Sequence, residues 1–501
     1  MSTLQATMSR NLTAPGVALT VALLAALTLV RLVGLKLSVV DFYFDESQYW
    51  AWSRELSFGY FSKPPLLAWV IAAAERVCGA SEACIRAPAP LFYFGTSCLI
   101  YAIARELYDG RVAFWAALTF ALAPGVDFSA RIISTDVPLL LFWALALLAY
   151  LKLLERTALS WSVGLGLSLG LGLLAKYAMA YFLLGIAFAA LFDRGARDLL
   201  RAPVFWLALA IAALVFAPNV WWNLENGFAT IRHVGENIRG AGFGLSLRKG
   251  LEFIAAQFGV FGPIAFAAVL YGAVQIRARI AERPDRLMLA FTLPVLALVT
   301  VTAFLSRAHA NWAAVAYVSA AVLAAALLVR LEARRLLAIG VGIGAVAQIV
   351  LIVADARADR LSLPLLPKPD VYQRTLGWRA LGEEAARLAA RTGARTIVGE
   401  GRDDVASMIY YARDAGRVLA WPLHATPTHH FDLTRPLNAA ASEPVLLLSR
   451  CALAPRLAEY YATVEPLGRF EAPAGPSARR TYFAYLLKGA RKPIGPLAPC
   501  A

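Results

Sequence analysis

VALTVALLAALTLVRLVGL, residues 17–35, is an apolar run close to the roughly 20 residues an α-helix needs to cross a bilayer. It is long for a signal peptide and has no clear small-residue cleavage site before the next polar stretch, so it reads as a retained first helix. Runs of the same kind follow at roughly 87–106, 112–127, 136–151, 160–175, 177–192, 203–218, 251–275, 287–305, 311–329 and 336–354, separated by short charged loops. A membrane-spanning β-barrel would show short alternating segments instead. The expected fold is therefore a polytopic α-helical membrane protein of about 11–13 transmembrane helices, carrying a C-terminal α/β domain.

Composition agrees. Of 501 residues, 59% are hydrophobic and 16% charged, and the mean hydropathy of +0.61 lies above the range of a soluble chain. The formal charge of +15 does not point to nucleic acid, because Lys and Arg sit at helix ends rather than in one patch interleaved with aromatics; membrane lipids are the expected partners. The five cysteines contain no CxxC pair. Cys78 with Cys84, and Cys451 with Cys500, are left open as disulfides of a non-cytoplasmic face.

With the N-terminus inside, the cytoplasmic turns carry Arg105 and Arg111; Lys152 and Arg156; Arg194, Arg197 and Arg201; Arg277, Arg279, Arg283 and Arg286; and Arg330, Arg334 and Arg335, as the positive-inside tendency asks. The opposite loops also hold cations, among them Arg54, Lys63, Arg131, Lys176, Arg232, Arg239, Arg248, Lys249 and Arg307, but mixed with acids, aromatics and His, which suggests a site. The first outward segment, about 41–86, is partly amphipathic, with an apolar helix over 66–74 opened by Pro64 and Pro65, and is expected to lie along the membrane. Gly164, Gly166, Gly170 and Gly172 fall inside a hydrophobic run and read as close helix packing rather than a nucleotide loop. The transmembrane part is assigned to 1–354. From 355 to 501 the composition is that of a soluble domain, with helices over 381–390 and 403–413 and strands over 395–399 and 445–449, placed outside by the odd number of spans.

The strongest chemical signal is Asp45-Glu46, in FDESQYW just beyond the first span. Adjacent carboxylates near a membrane are costly unless they meet cations, water or substrate; a carboxylate there can take the proton of an attacking hydroxyl. The bland alternative is a helix N-cap with solvated charge. Lys63-Pro64-Pro65 presents one cation at a helix start, suited to a lipid phosphate or to ordinary snorkelling. Asp136, in STDVP and preceded by Arg131, either caps its helix or joins Asp45 in a site on the same membrane face. Lys176, between two apolar runs, is expected to face a polar cavity. Arg232 and His233, and the group Arg307, His309, Asn311 and Trp312, add cations, donors and flat aromatic faces. Metal and nucleotide motifs are lacking, so no cofactor is called for, while a divalent cation stays open. His429-His430 reads as a surface pair of the tail.

Asp45-Glu46, Arg54-Glu55, Lys63-Pro64-Pro65-Leu66 and Thr135-Asp136 together resemble the GT-C glycosyltransferases of the protein O-mannosyltransferase and lipid A aminoarabinose-transferase type, and the wording around Tyr49-Trp50 and Gly59-Tyr60 looks most like bacterial enzymes that add galacturonic acid-type sugars to lipopolysaccharide. The resemblance implies Asp45 as the catalytic acidic residue, Glu46 beside it, Asp136 as a second acidic residue near the acceptor, and Arg54 and Lys63 at the donor phosphate, while Lys176 matches a lysine of the family; the charge of a departing phosphate makes Lys176 and Arg307 expected contacts beside them. Arg131, Arg232, His233 and His309 are weaker substrate contacts. It further implies a polyprenyl-phosphate sugar donor, a lipid or glycan acceptor, inversion at the anomeric carbon, and a bacterial inner-membrane enzyme whose site and tail face the periplasm. The stretch from Glu46 to Lys63 is shorter than in the aminoarabinose transferases, so the donor need not be shared. Protein O-mannosylation, a transporter or lipid flippase, and an assembly component are the alternatives.

Overall fold

The computed structural model describes residues 16–239, 244–274, 282–365, 367–424, 426–438 and 440–496. Cys500, Arg277 and Arg279 lie outside the described residues, as does the side chain of Arg239. Two compact units form: unit 1 takes residues 1–36, 63–67 and 86–352, and unit 2 takes 37–62, 68–85 and 353–501.

Unit 1 is helical. Six helices are long and apolar enough to cross a membrane: Val17–Leu37, the continuous stretch Glu82–Leu107, Asp136–Glu155, Pro203–Glu225, Arg283–Leu305 and Arg334–Ala356. Two bent pairs raise the number to eight, and Leu159–Ala175 and Ala316–Arg330 are shorter apolar helices. This is a polytopic membrane protein with a sheet-containing C-terminal part.

Several expected spans are broken, and the breaks have local causes. The run at 251–275 is not one helix: Leu247–Phe261 and Pro263–Val274 meet at 119°, because Gly262 takes φ +90° and Pro263 cannot donate to the preceding turn. The run at 112–127 yields the helix Gly110–Ala121, capped by Asp109 through the amides of Arg111 and Val112, and then a separate short helix Pro124–Ser129. Tyr177–Ala180 is a 3₁₀ turn ahead of Tyr181–Phe192.

Charges inside unit 1 are paired. Arg31 reaches Asp127 at 2.7 Å, with the two side chains 3% and 0% exposed, and also donates to Gln348 and to the Ala121 carbonyl. Asp193 pairs with Arg283, and Asp285 with Arg330, so part of the basic loop residues also hold helix ends together. The glycine-rich helix packs as expected: a Cβ at Gly166 or Gly170 would collide with Ile211 or Val215 of Pro203–Glu225.

Unit 2 is built on a five-stranded sheet: β1 (Thr396–Gly399), β2 (Arg417–Ala420), β3 (Val445–Ser449), β4 (Tyr461–Pro473) and β5 (Arg479–Ala490), in the order β2-β1-β3-β5-β4. β1 pairs parallel with β2 and β3, while β5 runs antiparallel to β3 and β4. Val445, Leu446, Leu447 and Leu448 are all buried, which is why a continuous apolar run here makes a central strand rather than an alternating one. The helix Trp378–Thr392 buries Trp378, Leu381, Ala385 and Leu388, the 3–4 spacing of one face. Gly382 lets it approach closely, since a Cβ there would collide with Tyr411.

Residues 41–62 and 68–85 fold into this same unit. Asp41 accepts the backbone N–H groups of Trp378 and Arg379, at 3.0 and 3.2 Å. Arg379 also pairs with Glu82 at 2.6 Å. Tyr411 accepts from the Phe42 N–H and bonds Glu82. Burial pushes the Asp41 carboxyl up to about 6. Cys78 and Cys84 form a disulfide between the helices Leu66–Cys78 and Glu82–Arg86.

The histidine pair is a correction: His429 and His430 are not on the surface. His429 is 8% exposed and lies against Asp432, and His430 packs edge-on against Trp52 and Tyr60, at 5.3 and 5.7 Å between ring centroids. Sequence position in a polar loop hid this for His430, because its partners come from the helix Phe44–Ser53 and the turn after it. Burial first, then the nearby Arg435 and His429 charges, bring the His430 imidazole down to about 3. A depressed folded-state value means that below about 6.5 the unfolded chain takes up a proton the folded chain refuses, so this contribution is full at neutral pH and lost on acidification. At pH 5 the loss amounts to about 2 kcal/mol. His430→Phe is expected to reduce the fall in unfolding free energy between pH 7.5 and 5 by that amount, measured by denaturant titration in detergent; an unchanged fall would refute the buried neutral imidazole.

Candidate functional site

Asp45 sits in the first turn of the helix Phe44–Ser53. Its Oδ1 lies 3.0 Å from a guanidinium nitrogen of Arg402, with the Asp45 side chain 35% exposed. Arg402 opens the helix Arg402–Tyr411, and its guanidinium lies over the Phe44 ring at 4.7 Å. The Asp45 carboxylate is thus fixed on one side by a cation while remaining accessible. Asp45 Oδ2 makes no hydrogen bond among the described residues. Glu46 is used differently: it is buried, and its Oε2 accepts the Tyr43 N–H at 3.0 Å. That is the N-terminal cap interaction, made by Glu46 and in a buried setting rather than a solvated one. Tyr43 is itself held by Arg374, which donates to its hydroxyl at 2.6 Å.

Arg54, at the other end of the same helix, pairs with Glu75 at 3.0 Å and stands over the Trp50 ring at 5.7 Å. Lys63 belongs to unit 1, precedes the helix Leu66–Cys78 and is half-buried.

Within unit 1, Asp136 is the first residue of Asp136–Glu155 and is 7% exposed. Both its oxygens are engaged: Oδ1 accepts from Lys176 Nζ at 2.7 Å, and Oδ2 from Asn311 Nδ2 at 2.8 Å. Lys176 reaches it because the Leu159–Ala175 helix ends at that residue and the backbone turns extended. Asp136, His309 and Asn311 line a cavity of about 730 Å³, whose other walls include Tyr93, Phe128, Ser129, Ser134 and Tyr317. The cavity is mostly apolar with a few convergent polar groups, the pattern of a site for an amphiphilic molecule. Arg131 is half-buried near it, with its guanidinium over Phe128 at 4.6 Å. Arg307 and Arg232 are exposed, and His233 is half-buried on the helix Ala229–Arg239.

The fold therefore brings Asp136, Lys176, His309 and Asn311 together, and joins Asp45 to a residue the motifs do not name. Arg402 had one local signal: a cation opening a helix whose first turn carries Asp403 and Asp404 is unfavourable to the helix dipole, and calls for an anionic partner. Asn311 was visible only as one polar residue in a loop.

Breaking the Asp136 contact should be costly. Lys176→Met is expected to lose roughly 1–3 kcal/mol of unfolding free energy, the cost of a charged hydrogen bond left half-made. In a double-mutant cycle with Asp136→Asn, a coupling of at least about 1 kcal/mol is expected; additive losses would show that the two side chains do not meet.

Comparison with known proteins places these residues in context. The family model described as dolichyl-phosphate-mannose-protein mannosyltransferase matches residues 62–222. The chain is 37% identical over 426 residues, 84% of its own length and 89% of the relative's, to lipid A galacturonosyltransferase RgtD of Rhizobium johnstonii. It is 28% identical over 236 residues, 46% of each chain, to the lipopolysaccharide core galacturonosyltransferase RgtA of the same organism. Among solved structures, ArnT from Cupriavidus metallidurans bound to undecaprenyl phosphate matches with a TM-score of 0.65 at 16% identity, covering 95% of this chain and 100% of that one. Its apo form matches with the same TM-score. At this identity the likeness is one of fold.

Proposed function

Because the chain belongs to the GT-C family of bacterial lipopolysaccharide sugar transferases, we propose that it moves a sugar from a polyprenyl-phosphate donor to a hydroxyl of lipid A or the lipopolysaccharide core. Glycosyl transfer itself follows from the family, which removes the transporter and assembly readings. The donor, the acceptor and the residue roles are the proposal. Its main support is the Asp45 carboxylate, accessible and oriented by Arg402 at 3.0 Å.

The proposed reaction is a single displacement. The acceptor oxygen attacks the anomeric carbon, its proton passes to Asp45, and the bond to the phosphate oxygen breaks with the electron pair leaving on polyprenyl phosphate. Configuration at the anomeric carbon inverts. The departing phosphate needs cations, for which Arg54, Lys63 and Arg307 are the candidates. Lys176 serves it indirectly in this reading, since its ammonium is committed to Asp136. The cavity beside Asp136 suits an acyl or prenyl chain next to a polar head. Glu46 supports the helix that carries Asp45 rather than reacting.

Two further assignments belong to the proposal. Residues 1–354 form the transmembrane transferase part, with the outward segment of about 41–86 outside the bilayer core, and 355–501 the periplasmic part. The chain is placed in the inner membrane with the reacting groups outside, where membrane-delivered donors replace nucleotide sugars. Protein O-mannosylation is the weaker reading, since the mannosyltransferase model matches only 62–222 while the lipid A transferase aligns over most of the chain.

The test is transfer from a radiolabelled polyprenyl-phosphate sugar to extracted lipopolysaccharide by purified protein. Asp45→Asn is expected to lower the rate by roughly 10²–10⁴-fold, the usual worth of a positioned base; transfer at the wild-type rate would sink the assignment. Lys63→Ala should raise KM for the donor more than for the acceptor.

A further inference from the structure

The turn between the helices Ala316–Arg330 and Arg334–Ala356 closes tightly: the Ala333 N–H donates to the Leu328 carbonyl at 2.9 Å, and Glu332 takes φ +53°. Beside this turn, within unit 1, lies a groove of about 340 Å³ whose third wall is the helix Pro263–Val274. Its lining is apolar and includes Ile264, Ala267, Leu328, Leu331 and Leu336, with the Tyr271 hydroxyl as its polar side-chain atom. Leu331 and Leu336 are each 45% exposed. From Tyr271 to Ile264 the groove follows seven residues of helix, about 10 Å at the helical rise, within the roughly 15 Å of hydrocarbon in one leaflet. A bilayer core has no water to fill such a groove, so a hydrocarbon chain is its natural occupant.

The charge at the head of the groove is unbalanced. Arg334 and Arg335 stand between the lining residues Leu331 and Leu336, both are exposed, and neither makes a side-chain hydrogen bond or ion pair among the described residues. They open a helix whose first turn holds no acid, so two cations add to the positive end of the helix dipole. Against them the turn offers Glu332 alone, and Arg330 is committed to Asp285 at 2.7 Å and Glu282 at 3.1 Å. An anion here relieves the repulsion, and an anion attached to a chain in the groove is held at both ends.

This groove is separate from the cavity beside Asp136. The helix Arg334–Ala356 lines both, the groove through Leu336 and the cavity through Ala347, Val350 and Leu351. From Leu336 to Val350 is fourteen residues, about 21 Å, so an anion at Arg334 lies at the other end of the helix from Asp136. Between the two is a neck of about 20 Å³ at Gly262 and Gly340, room for a water and not for a chain.

We propose that the groove binds one acyl chain of a phospholipid whose anionic headgroup meets Arg334 and Arg335, on the membrane face opposite Asp136. Guanidinium forks match a pair of phosphodiester oxygens. The chain braces the helix Pro263–Val274, which meets Leu247–Phe261 at 119°, and that first helix lines the Asp136 cavity through Val260 and Phe261. Nothing in this inference rests on the transferase reading, since binding is measured without transfer.

The experiment is equilibrium binding of radiolabelled dioleoyl phosphatidylglycerol to delipidated full-length protein in detergent. Unlabelled dioleoyl phosphatidylcholine, polyprenyl phosphate and inorganic phosphate are the competitors. Phosphatidylcholine is expected to compete at least about tenfold less well than unlabelled phosphatidylglycerol, given two cations near the lipid surface, and the difference should shrink as salt rises. Arg334→Gln combined with Arg335→Gln should abolish that preference, and Arg334→Lys with Arg335→Lys should keep it. Ala267→Phe, which fills the groove, should weaken both phospholipids; unfolding midpoints measured without lipid show that each variant is folded. Equal competition by the two phospholipids, or a preference that survives the double Gln variant, would overturn the headgroup contact. Wild-type affinity in folded Ala267→Phe would overturn the groove. Displacement by inorganic phosphate at the concentration of phosphatidylglycerol would reduce the site to one for a free ion, and stronger displacement by polyprenyl phosphate would give the groove to the donor; either result overturns the phospholipid.

Discussion

The ion pair between Asp45 and Arg402 joins the helix Phe44–Ser53 to the helix Arg402–Tyr411 within unit 2, and it sets the direction of the carboxylate on which the proposed chemistry depends. Asp45 lies just after the first apolar helix and Arg402 far along the chain, so neither the carboxylate's orientation nor the helix that carries it is a local matter. The same dependence repeats along the seam. Asp41 takes the first amides of Trp378–Thr392, Glu82 takes Arg379, and His430 fills the space beside Trp52 and Tyr60. The first two are buried or half-buried polar contacts that would be costly with one side missing. The C-terminal part is therefore no appendage: residues 41–62 and 68–85 pack with it as one unit.

Unit 1 solves a related problem differently. An acidic side chain at the head of an apolar helix is tolerated because Lys176 and Asn311 satisfy both of its oxygens, and Arg31 with Asp127 repeats the arrangement in a fully buried setting. The chain breaks helix at Lys176, and there the irregular backbone delivers a polar group to Asp136.

Much of this was legible in the sequence. Apolar length gave six spans as whole helices and the run at 445–448 gave the central strand, because both signals are continuous and local, while the runs at 112–127, 177–192 and 251–275 fold as broken helices. Asp136 and Lys176 each announced themselves as charges beside apolar runs, though not that they pair. β4 and β5 were missed: the exposed, polar pattern of Tyr461–Pro473, interrupted by Pro466 and Gly468, has no strand period to read, and it is held by pairing with β5. The setting of His430 and that of Arg402 were missed for a common reason. Their environments are assembled from segments hundreds of residues apart, and a sequence shows a side chain's charge but not its neighbours.

The account stands most directly on the stereochemistry and stoichiometry of transfer. Purified protein would be given a polyprenyl-phosphate sugar of known anomeric configuration and lipid A, and the product linkage read by NMR while released polyprenyl phosphate is counted. The account predicts an inverted linkage and one polyprenyl phosphate released per sugar transferred. A retained configuration, or equal transfer from a nucleotide sugar without any lipid donor, would contradict it.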